Sequence, residues 1–171
     1  ASYKITEYLI SLGHKHIGFI KGHVDYETTT HRLLGYQEAL KANGLIITNE
    51  LITQGDFSYA SGLVSTERLL SLTKKPSAIF ASNDEMAAGA LAAAYKKGLR
   101  VPDSLSIVGF DDSPIAMAVY PQLTTVRQSL SDMIEKAVEI LAKPQTDNKN
   151  KIVILDHALV LRDSTGPALD T

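Results

Sequence analysis

The feature of this sequence that most constrains its fold is the alternation of short apolar runs with longer amphipathic stretches. Almost continuous apolar runs predict buried strands, as in HIGFI at 16–20 and SAIFA at 77–81. Between such runs, apolar residues recur at helical spacing, as Leu33, Tyr36 and Leu40 do. Strands buried on both faces and alternating with helices are typical of a parallel sheet covered on both sides. The sequence therefore predicts an α/β fold with a doubly wound parallel sheet.

The spacing of apolar residues and the glycines between them set the boundaries of the predicted elements. Helices are predicted at 2–12, 28–43, 58–72, 82–97 and 129–142, and strands at 16–20, 50–53, 77–81, 105–110 and 123–126. The stretch 111–122 is predicted to be a long loop, 143–149 a polar linker, and 152–155 and 159–161 β-rich. A doubly wound domain usually opens on a strand, whereas this sequence opens on a helix. We therefore expect the chain to be part of a longer protein.

Composition narrows the class of protein. A chain of 171 residues favours one domain and can bury a core without disulfides or structural metals. It has no cysteine, which excludes a disulfide framework, a thiolate metal site and a thiol nucleophile. No apolar run reaches the roughly 18 residues of a membrane span. The first residues form an amphipathic pattern, so no signal peptide is expected.

The charge of the chain bears on its partners. The formal net charge is −2, the isoelectric point is about 6.2, and lysines and arginines are scattered along the sequence. Proteins that bind nucleic acid through the phosphate backbone concentrate Lys and Arg on one face. This chain alone is therefore not expected to bind duplex DNA.

Candidate binding residues follow the predicted strands or open the second helix. In doubly wound sheets, ligands bind at the carboxyl ends of the strands. Four residues are expected to meet there: Arg32, Phe57 in GDFS, Asn83 in SND, and Asp111 in GFDD.

Each of these residues also has a purely structural interpretation. Ser82 and Glu85 have the spacing of a capping box, which explains the start of a helix without using Asn83. Arg32 near a helix start opposes the helix dipole, so it is either a solvated side chain or a donor to oxygen atoms of a ligand. Sequence alone leaves the two interpretations of Arg32 equally open.

The pair Asp111-Asp112 allows three interpretations. It can form a turn with Ser113 and Pro114, bind a metal or phosphoryl group, or accept hydrogen bonds from a polyhydroxy ligand. A phosphoacceptor needs acidic residues after an early strand, but the first strand here is followed by lysine, glycine and histidine, so we reject that function. Asparagine and arginine as donors, a carboxylate as acceptor and a phenyl ring for an apolar face suit a carbohydrate.

Signatures of enzymes and metal sites are weak. The sequence has no G-x-S-x-G, Walker A or G-x-G-x-x-G motif, and its five histidines have no metal-binding spacing. We expect no catalytic residue, no metal and no cofactor. His14 and His16 flank a predicted strand and are expected to be structural.

Seven stretches, found in this order along nearly the whole chain, carry a resemblance to a known family. They are YLISLGHKHIGFIKG, RLLGYQEALKANGL, GDFS, AIFASNDEMAAGAL, GLRVPDSLSIVGFDD, PQLTTVRQ and LVLRDST. Together they resemble the lactose/galactose repressor (LacI/GalR) family of transcriptional regulators and, more distantly, the periplasmic sugar-binding proteins. GFDD followed by LTTVRQ favours the repressors, since the periplasmic proteins are similar mainly around NDEMA.

The resemblance implies a periplasmic-binding-protein-like fold and a place within a larger protein. Residues 1–122 are expected to form the second, C-terminal effector-binding subdomain. Residues 123–142 are expected to be a crossover strand and helix belonging to the first subdomain, and 143–171 a return segment and tail. Most of that first subdomain and the helix-turn-helix that binds operator DNA are expected outside this chain.

The resemblance also assigns roles to the four candidate residues. Arg32, Asn83 and Asp111 are implied to bind ring hydroxyls, and Phe57 to stack on the ring. Family members that bind purines tend to lack the asparagine, so its presence favours a mono- or disaccharide effector.

The implied function is effector sensing by a cytoplasmic regulator, coupled to DNA binding without any catalysis. The alternative from the same fold is a periplasmic sugar-binding protein of a transport system. A homodimer is implied, and Ala88, Ala92 and Ala93 offer a small-residue face for close approach, although alanine is also simply a good helix former.

The predicted helix 129–142 carries an apolar stripe at helical spacing, comprising Leu130, Met133, Ile134, Ala137, Val138 and Leu141. In the family this stripe packs on the first subdomain. On the isolated chain we expect it to mediate self-association, because exposed apolar patches of this kind usually find a partner.

Overall fold

The computed structural model describes residues 1–142 and 152–169. Along the chain, helices and strands alternate as the sequence predicts. The helices are α1 (Ser2–Ser11), α2 (Glu27–Ala42), α3 (Tyr59–Leu69), α4 (Asp84–Lys96), α5 (Pro114–Ala118) and α6 (Leu130–Ala142), with a 3₁₀ turn at Asn49–Leu51. The strands are β1 (Ile17–Lys21), β2 (Ile52–Gln54), β3 (Ala78–Ala81), β4 (Ser106–Val108), β5 (Thr125–Gln128) and β6 (His157–Val160).

Four strands form a parallel sheet in the order β2-β1-β3-β4. Alternate strand residues point to opposite faces, and each face is covered. Phe19 and Phe80 pack beneath Tyr36 of α2, with Phe19 stacked on Tyr36 at 4.8 Å between ring centroids. On the other face, Ile79 and Ile107 pack with α3 and α4. The predicted doubly wound parallel sheet is therefore confirmed.

Helices α3 and α4 approach each other so closely that only glycine fits between them. A Cβ atom on Gly62 would lie 2.2 Å from the carbonyl oxygen of Met86, and one on Gly89 would lie 2.1 Å from that of Tyr59. Ala88 and Ala93 of α4 are buried within this chain, and Ala92 is half-buried. Most of the alanine face that was considered for a partner is thus used inside the fold.

Strand β5 packs into this body. The residues from Leu123 to Val126 are buried, and β5 continues the sheet beside β4 through single bridges while pairing antiparallel with β6. In contrast, α6 has no buried residue at all. β5 is thus part of this body, whereas α6 lies on its surface.

Two expectations differ from the structure, and one cannot be compared. The predicted loop 111–122 contains the short helix α5, which has proline at its first position, where the missing N–H is not needed. The stretch 152–155 is not a strand, and β6 begins only at His157. The predicted linker 143–149 lies outside the described residues.

His14 has the structural role that the sequence suggested. It is buried at the amino edge of the sheet, where Nδ1 lies 2.9 Å from the Ser77 hydroxyl and Nε2 lies 3.1 Å from the carbonyl oxygen of Gly166. The imidazole thereby joins the start of the sheet to the C-terminal tail.

Among the helices of the described residues, none has the length and apolar character that a membrane span requires.

Candidate functional site

Side chains from four elements meet where the parallel strands end. Arg32 comes from α2, Phe57 from the loop after β2, Asn83 from the turn between β3 and α4, and Asp111 from the loop after β4. The Arg32 guanidinium lies 3.1 Å from Asp111 and 5.8 Å from the centre of the Phe57 ring. The Asn83 amide donates to the Phe57 carbonyl oxygen at 2.9 Å. The structure therefore brings together the four residues selected from the sequence.

Arg32 lies in the second turn of α2, which begins at Glu27, so it does not oppose the helix dipole in the first turn. Its two terminal nitrogens donate to Oδ1 of Asp111 and to the carbonyl oxygen of Ser82. The guanidinium carbon lies 4.0 Å from the centre of the Phe110 ring, within the range of a cation–π contact. Three contacts thus fix the orientation of a side chain that is only 12% exposed.

Asp111 is held in an unusual backbone conformation. Its φ is 107°, which residues other than glycine rarely adopt, and its N–H donates to the carbonyl oxygen of Val126 at 2.8 Å. Oδ1 accepts hydrogen bonds from Arg32 and from the Gln128 amide at 2.7 Å. Among the described residues no donor reaches Oδ2, and 36% of the side chain is exposed. This second oxygen is therefore available to hydroxyl groups of a ligand.

The electrostatics of Arg32 and Asp111 reflect their partial burial. Burial raises the pKa of Asp111 and lowers the pKa of Arg32, while their mutual attraction opposes both changes. A hydrogen bond from Gln128 also opposes the rise for Asp111. Desolvation thus outweighs pairing in the free protein. A ligand that donates hydroxyl groups to the carboxylate supplies part of the solvation that folding removed.

Asn83 is the N-cap of α4, and the expected capping box with Ser82 is wrong. The Asn83 Oδ1 accepts the N–H of Met86 at 3.0 Å, whereas the Ser82 hydroxyl is buried and donates to the carbonyl oxygen of Ile20 at 2.7 Å. Since the Asn83 Nδ2 also donates to Phe57, this amide connects the helix start to the loop that carries the ring. Asn83 thus has a structural function as well as a place at the candidate site.

Phe57 also occupies a strained backbone position, with φ at 72°. Its ring lies directly over Gly22, where a Cβ atom would come within 1.9 Å of the ring. The absence of a side chain at Gly22 therefore makes room for the ring. The ring is half-buried against the core, which leaves part of its surface open.

Gln128 is a site residue that the sequence analysis missed. It lies at the end of β5, and its amide reaches Asp111 because β5 runs beside the strand that precedes Asp111. Gln128 is the last residue of PQLTTVRQ, but residues 123–142 were expected to belong to the neighbouring subdomain. Its role depends on strand packing that residue patterns do not reveal.

Asp84, the first residue of α4, is a buried carboxylate that the sequence analysis did not identify. It is only 1% exposed. Its carboxylate accepts the Thr125 hydroxyl at 2.6 Å and the Ser113 N–H at 2.7 Å, and Gly109 leaves room for it. Burial raises the pKa of Asp84, and these hydrogen bonds oppose the rise. Asp84 therefore positions both β5 and the loop after Asp111.

Asp112, next in the chain, is bound on both sides by arginines. Arg162 donates to one carboxylate oxygen and Arg127 to the other. The side chains of Asp112 and Arg162 are 6% and 10% exposed, and Arg162 also donates to the Leu123 carbonyl oxygen at 2.7 Å. Hence Asp112 ties the C-terminal tail to β5 and has no oxygen left for a ligand.

The candidate site, defined as Arg32, Phe57, Asn83, Asp111 and Gln128, combines fixed donors, an available carboxylate oxygen and part of an aromatic face. In the described ranges, no group of three or more His, Cys, Asp or Glu residues could hold a metal ion. The arrangement suits binding of a neutral molecule that has hydroxyl groups on its rim and an apolar face.

Comparison with known families gives a match along most of the chain. The family described as periplasmic binding protein-like domain matches residues 6–165. The catabolite control protein A of Priestia megaterium is 38% identical over 169 residues, which are 96% of this chain and 51% of that protein. The probable HTH-type transcriptional repressor ExuR of Bacillus subtilis is 35% identical over 167 residues, 95% of this chain and 50% of that protein. The chain spans about half the length of these curated relatives.

Solved structures agree with the sequence relatives. A sugar-binding transcriptional regulator of the LacI family from Escherichia coli, in complex with phosphate, has a TM-score of 0.87 and 34% identity. That match covers 98% of this chain and 60% of the regulator. The transcriptional regulator CelR in complex with cellobiose has a TM-score of 0.88 and 34% identity, with 95% of this chain and 50% of CelR covered.

Proposed function

Since the chain belongs to the periplasmic binding protein-like family, in the branch of LacI-type transcriptional regulators, we propose that it is the sugar-sensing portion of a longer repressor. The effector binds at Arg32, Phe57, Asn83 and Asp111, with Gln128 as a fifth contact or support. The observation that carries this proposal is the open Oδ2 of Asp111, because the other oxygen is already held by Arg32 and Gln128.

A carbohydrate satisfies this site better than other small molecules. Its vicinal hydroxyls can donate to Oδ2 of Asp111 and accept from Arg32, and its apolar C–H face can cover the exposed part of Phe57. The site carries one carboxylate and one guanidinium, so it favours a neutral ligand. A relative that is described as sugar-binding and another that is in complex with cellobiose support a mono- or disaccharide.

The proposed mechanism is a conformational switch in which no bond is made or broken. A second subdomain outside this chain closes over the sugar and couples closure to the DNA-binding heads. The sugar can shift operator binding only by its differential affinity for the two arrangements, and the coupling is reciprocal. DNA binding belongs to a helix-turn-helix outside this chain, and the complete regulator is a cytoplasmic homodimer.

The packing of β5 and α6 supports a boundary between two subdomains at this point in the chain. β5 is buried in this body, whereas Leu130, Ile134 and Val138 of α6 are 60%, 66% and 59% exposed. We place the boundary between these two elements, later than the sequence analysis placed it. The apolar side of α6 then packs on the subdomain that lies outside this chain.

The transport-protein alternative has weaker support. The relatives and solved structures described above are transcriptional regulators, and their coverage follows the effector-binding half of such proteins.

The proposal is tested by a thermal-shift screen of the complete regulator against mono- and disaccharides. A ligand that binds the native state raises its stability by RT ln(1 + [L]/Kd). We expect at least one sugar to stabilise the wild type and to change its affinity for operator DNA. If no sugar in the screen does either, the sugar-sensing function is wrong.

Variants then locate the site. Asp111→Ala and Arg32→Ala are expected to abolish the stabilisation and the DNA response, while folding and operator binding persist. Asp111→Asn keeps the shape of the side chain and separates loss of charge from loss of packing. Asp103→Ala is a matched control, because this exposed aspartate pairs with Arg100 and precedes β4, at the opposite end of the strands from the site. Wild-type sugar affinity in the first two variants excludes the site.

A further inference from the structure

An aromatic residue, Tyr26, lies beside the candidate site and is not part of it. Tyr26, directly before α2, is 60% exposed, yet its ring centroid lies only 6.0 Å from that of Phe57. Its other neighbour is His23, at 5.5 Å between ring centroids. Tyr26 therefore stands next to the ring that is expected to carry the sugar, with most of its own surface open.

Hydrogen bonds order the loop that carries Tyr26. The Tyr26 N–H donates to the carbonyl oxygen of His23 at 3.3 Å, and the Thr29 N–H donates to that of Tyr26 at 2.9 Å. The buried Thr29 hydroxyl also donates to the carbonyl oxygen of His23, at 2.7 Å. The backbone of Tyr26 is thus held from both sides, so a ligand need not order this loop.

The geometry of the two rings decides what kind of ligand they fit. The planes of Tyr26 and Phe57 meet at 57°, so they form a corner and not one flat surface. The Arg32 guanidinium carbon lies 5.8 Å from the centre of the Phe57 ring, so a sugar ring that reaches Arg32 and Asp111 would also contact Phe57. A single pyranose covers about one aromatic ring, which leaves the face of Tyr26 free for a second group.

We propose that Tyr26 is a specificity-determining residue that binds a second ring of the effector. The effector is then a disaccharide or an aryl glycoside, in which two rings meet at an angle across the glycosidic linkage. This inference rests on the sugar-binding function proposed above and names the class of sugar. The Tyr26 ring contributes an apolar face, and its hydroxyl makes no hydrogen bond within the described residues.

The experiment measures sugar affinities of the complete regulator by titration calorimetry, using matched pairs. Each pair consists of a monosaccharide and a two-ring derivative: glucose with cellobiose, galactose with lactose, and methyl with phenyl β-glucoside. The proteins are the wild type, Tyr26→Ala, Tyr26→Phe and Val24→Ala. Val24 is the control because it is 68% exposed on the same loop.

We expect the wild type to prefer the two-ring member of at least one pair. Tyr26→Ala should weaken binding of that member about tenfold and leave the one-ring member unchanged, since only the second ring loses an aromatic contact. Tyr26→Phe should retain the preference, because the face and not the hydroxyl makes the contact. Val24→Ala should bind both members as the wild type does.

Other outcomes overturn the inference in distinguishable ways. Equal weakening of both members by Tyr26→Ala means that Tyr26 acts on closure or folding and not on a second ring. No effect on either member places Tyr26 outside the site. In both cases the sugar-sensing function survives. A wild type that binds none of the six sugars overturns this inference, and the wider thermal-shift screen then decides whether the sugar-sensing function fails with it.

Discussion

Two neighbouring carboxylates, Asp111 and Asp112, stand in contrasting surroundings. The side chain of Asp112 is 6% exposed and has an arginine on each oxygen. The side chain of Asp111 is 36% exposed and has one oxygen that no donor among the described residues reaches. Both residues have positive φ angles, 107° and 53°, so the chain turns sharply here. That turn sends one carboxylate into a closed structural cluster and the other toward an open edge.

The contrast shows how one short loop can serve stability and binding at once. The closed cluster of Asp112, Arg127 and Arg162 fastens the C-terminal tail to β5. Because β5 also carries Gln128, the cluster fixes the position of a donor to Asp111. The strain of the turn persists because the structural cluster and the hydrogen bond from Asp111 to Val126 hold it in place. The structural cluster around Asp112 thus holds Asp111 in position for binding.

The largest expected effect is that of Asp112→Ala on stability. The substitution leaves the guanidinium of Arg162, which is 10% exposed, without its charge partner. Breaking a buried pair in this way costs about 3 kcal/mol. The free energy of unfolding should fall by about that amount in urea denaturation, with an unchanged m-value. A loss below about 1 kcal/mol would mean that water solvates Arg162 and that the cluster is not closed.

Double-mutant cycles compare how strongly the two arginines of the closed cluster are coupled to Asp112. Arg162 is buried with Asp112, whereas the side chain of Arg127 is 58% exposed. The coupling energy with Asp112 should therefore be about 2 kcal/mol for Arg162→Ala and below about 1 kcal/mol for Arg127→Ala. Chemical denaturation of the four proteins in each cycle measures both values. Equal couplings would show that exposure does not control the strength of these pairs.

The stability difference between the wild type and an Asp→Asn variant should change with pH in opposite directions for the two carboxylates. The first case is Asp111→Asn. Burial raises the folded-state pKa of Asp111, so the folded protein binds the proton more tightly than the unfolded chain does. The wild type should therefore lose stability relative to Asp111→Asn as the pH rises above about 4, until the folded-state pKa is passed. Measured differences in unfolding free energy between pH 4 and 7 check this. A constant difference would contradict the raised pKa.

For Asp112→Asn, the stability difference from the wild type should change with pH in the opposite direction. Hydrogen bonds and charges of Arg162 and Arg127 oppose the effect of burial and lower the pKa of Asp112. The wild type should therefore be more stable than this variant above the ordinary aspartate pKa of about 4. The advantage should shrink as the pH falls through the lowered folded-state pKa. An advantage that grows on acidification would refute the assignment.

The smallest expected effect on stability is that of charges placed on α6. Ile134 and Val138 are 66% and 59% exposed, so changing both to Asp should alter the unfolding free energy of this chain by at most about 0.5 kcal/mol per site. The same variant should remove the self-association that we expect of the isolated chain. Light scattering measures the latter. A monomeric wild type whose α6 is protected from hydrogen exchange would contradict this expectation.

Local patterns were sufficient to predict the architecture. Nearly continuous apolar runs such as HIGFI predicted buried parallel strands, because strands covered on both faces lose the alternation of polar and apolar residues. The same reasoning located Arg32, Phe57, Asn83 and Asp111 at one edge, since parallel strands all end on the same side. These inferences rest on neighbouring residues and on a rule that holds for the whole fold class.

Helix caps and short helices were harder to predict from the sequence. Ser82 and Asn83 are both good N-caps, and the sequence does not show that the Ser82 hydroxyl donates instead to the carbonyl oxygen of Ile20. α5 has only five residues, too few for a helical period to appear. Here the choice between near-equal local options depends on contacts that are distant in sequence.

The sequence by itself determined the parallel sheet, its two covered faces and the edge at which the candidate site lies. Only the tertiary structure decided that Asp111 faces that site while Asp112 pairs with Arg162, and that Gln128 joins the first of them. The physical reason is that two adjacent aspartates are chemically identical in the sequence. Their roles depend on backbone angles and on partners from β5 and the C-terminal tail, which approach them only when the chain has folded.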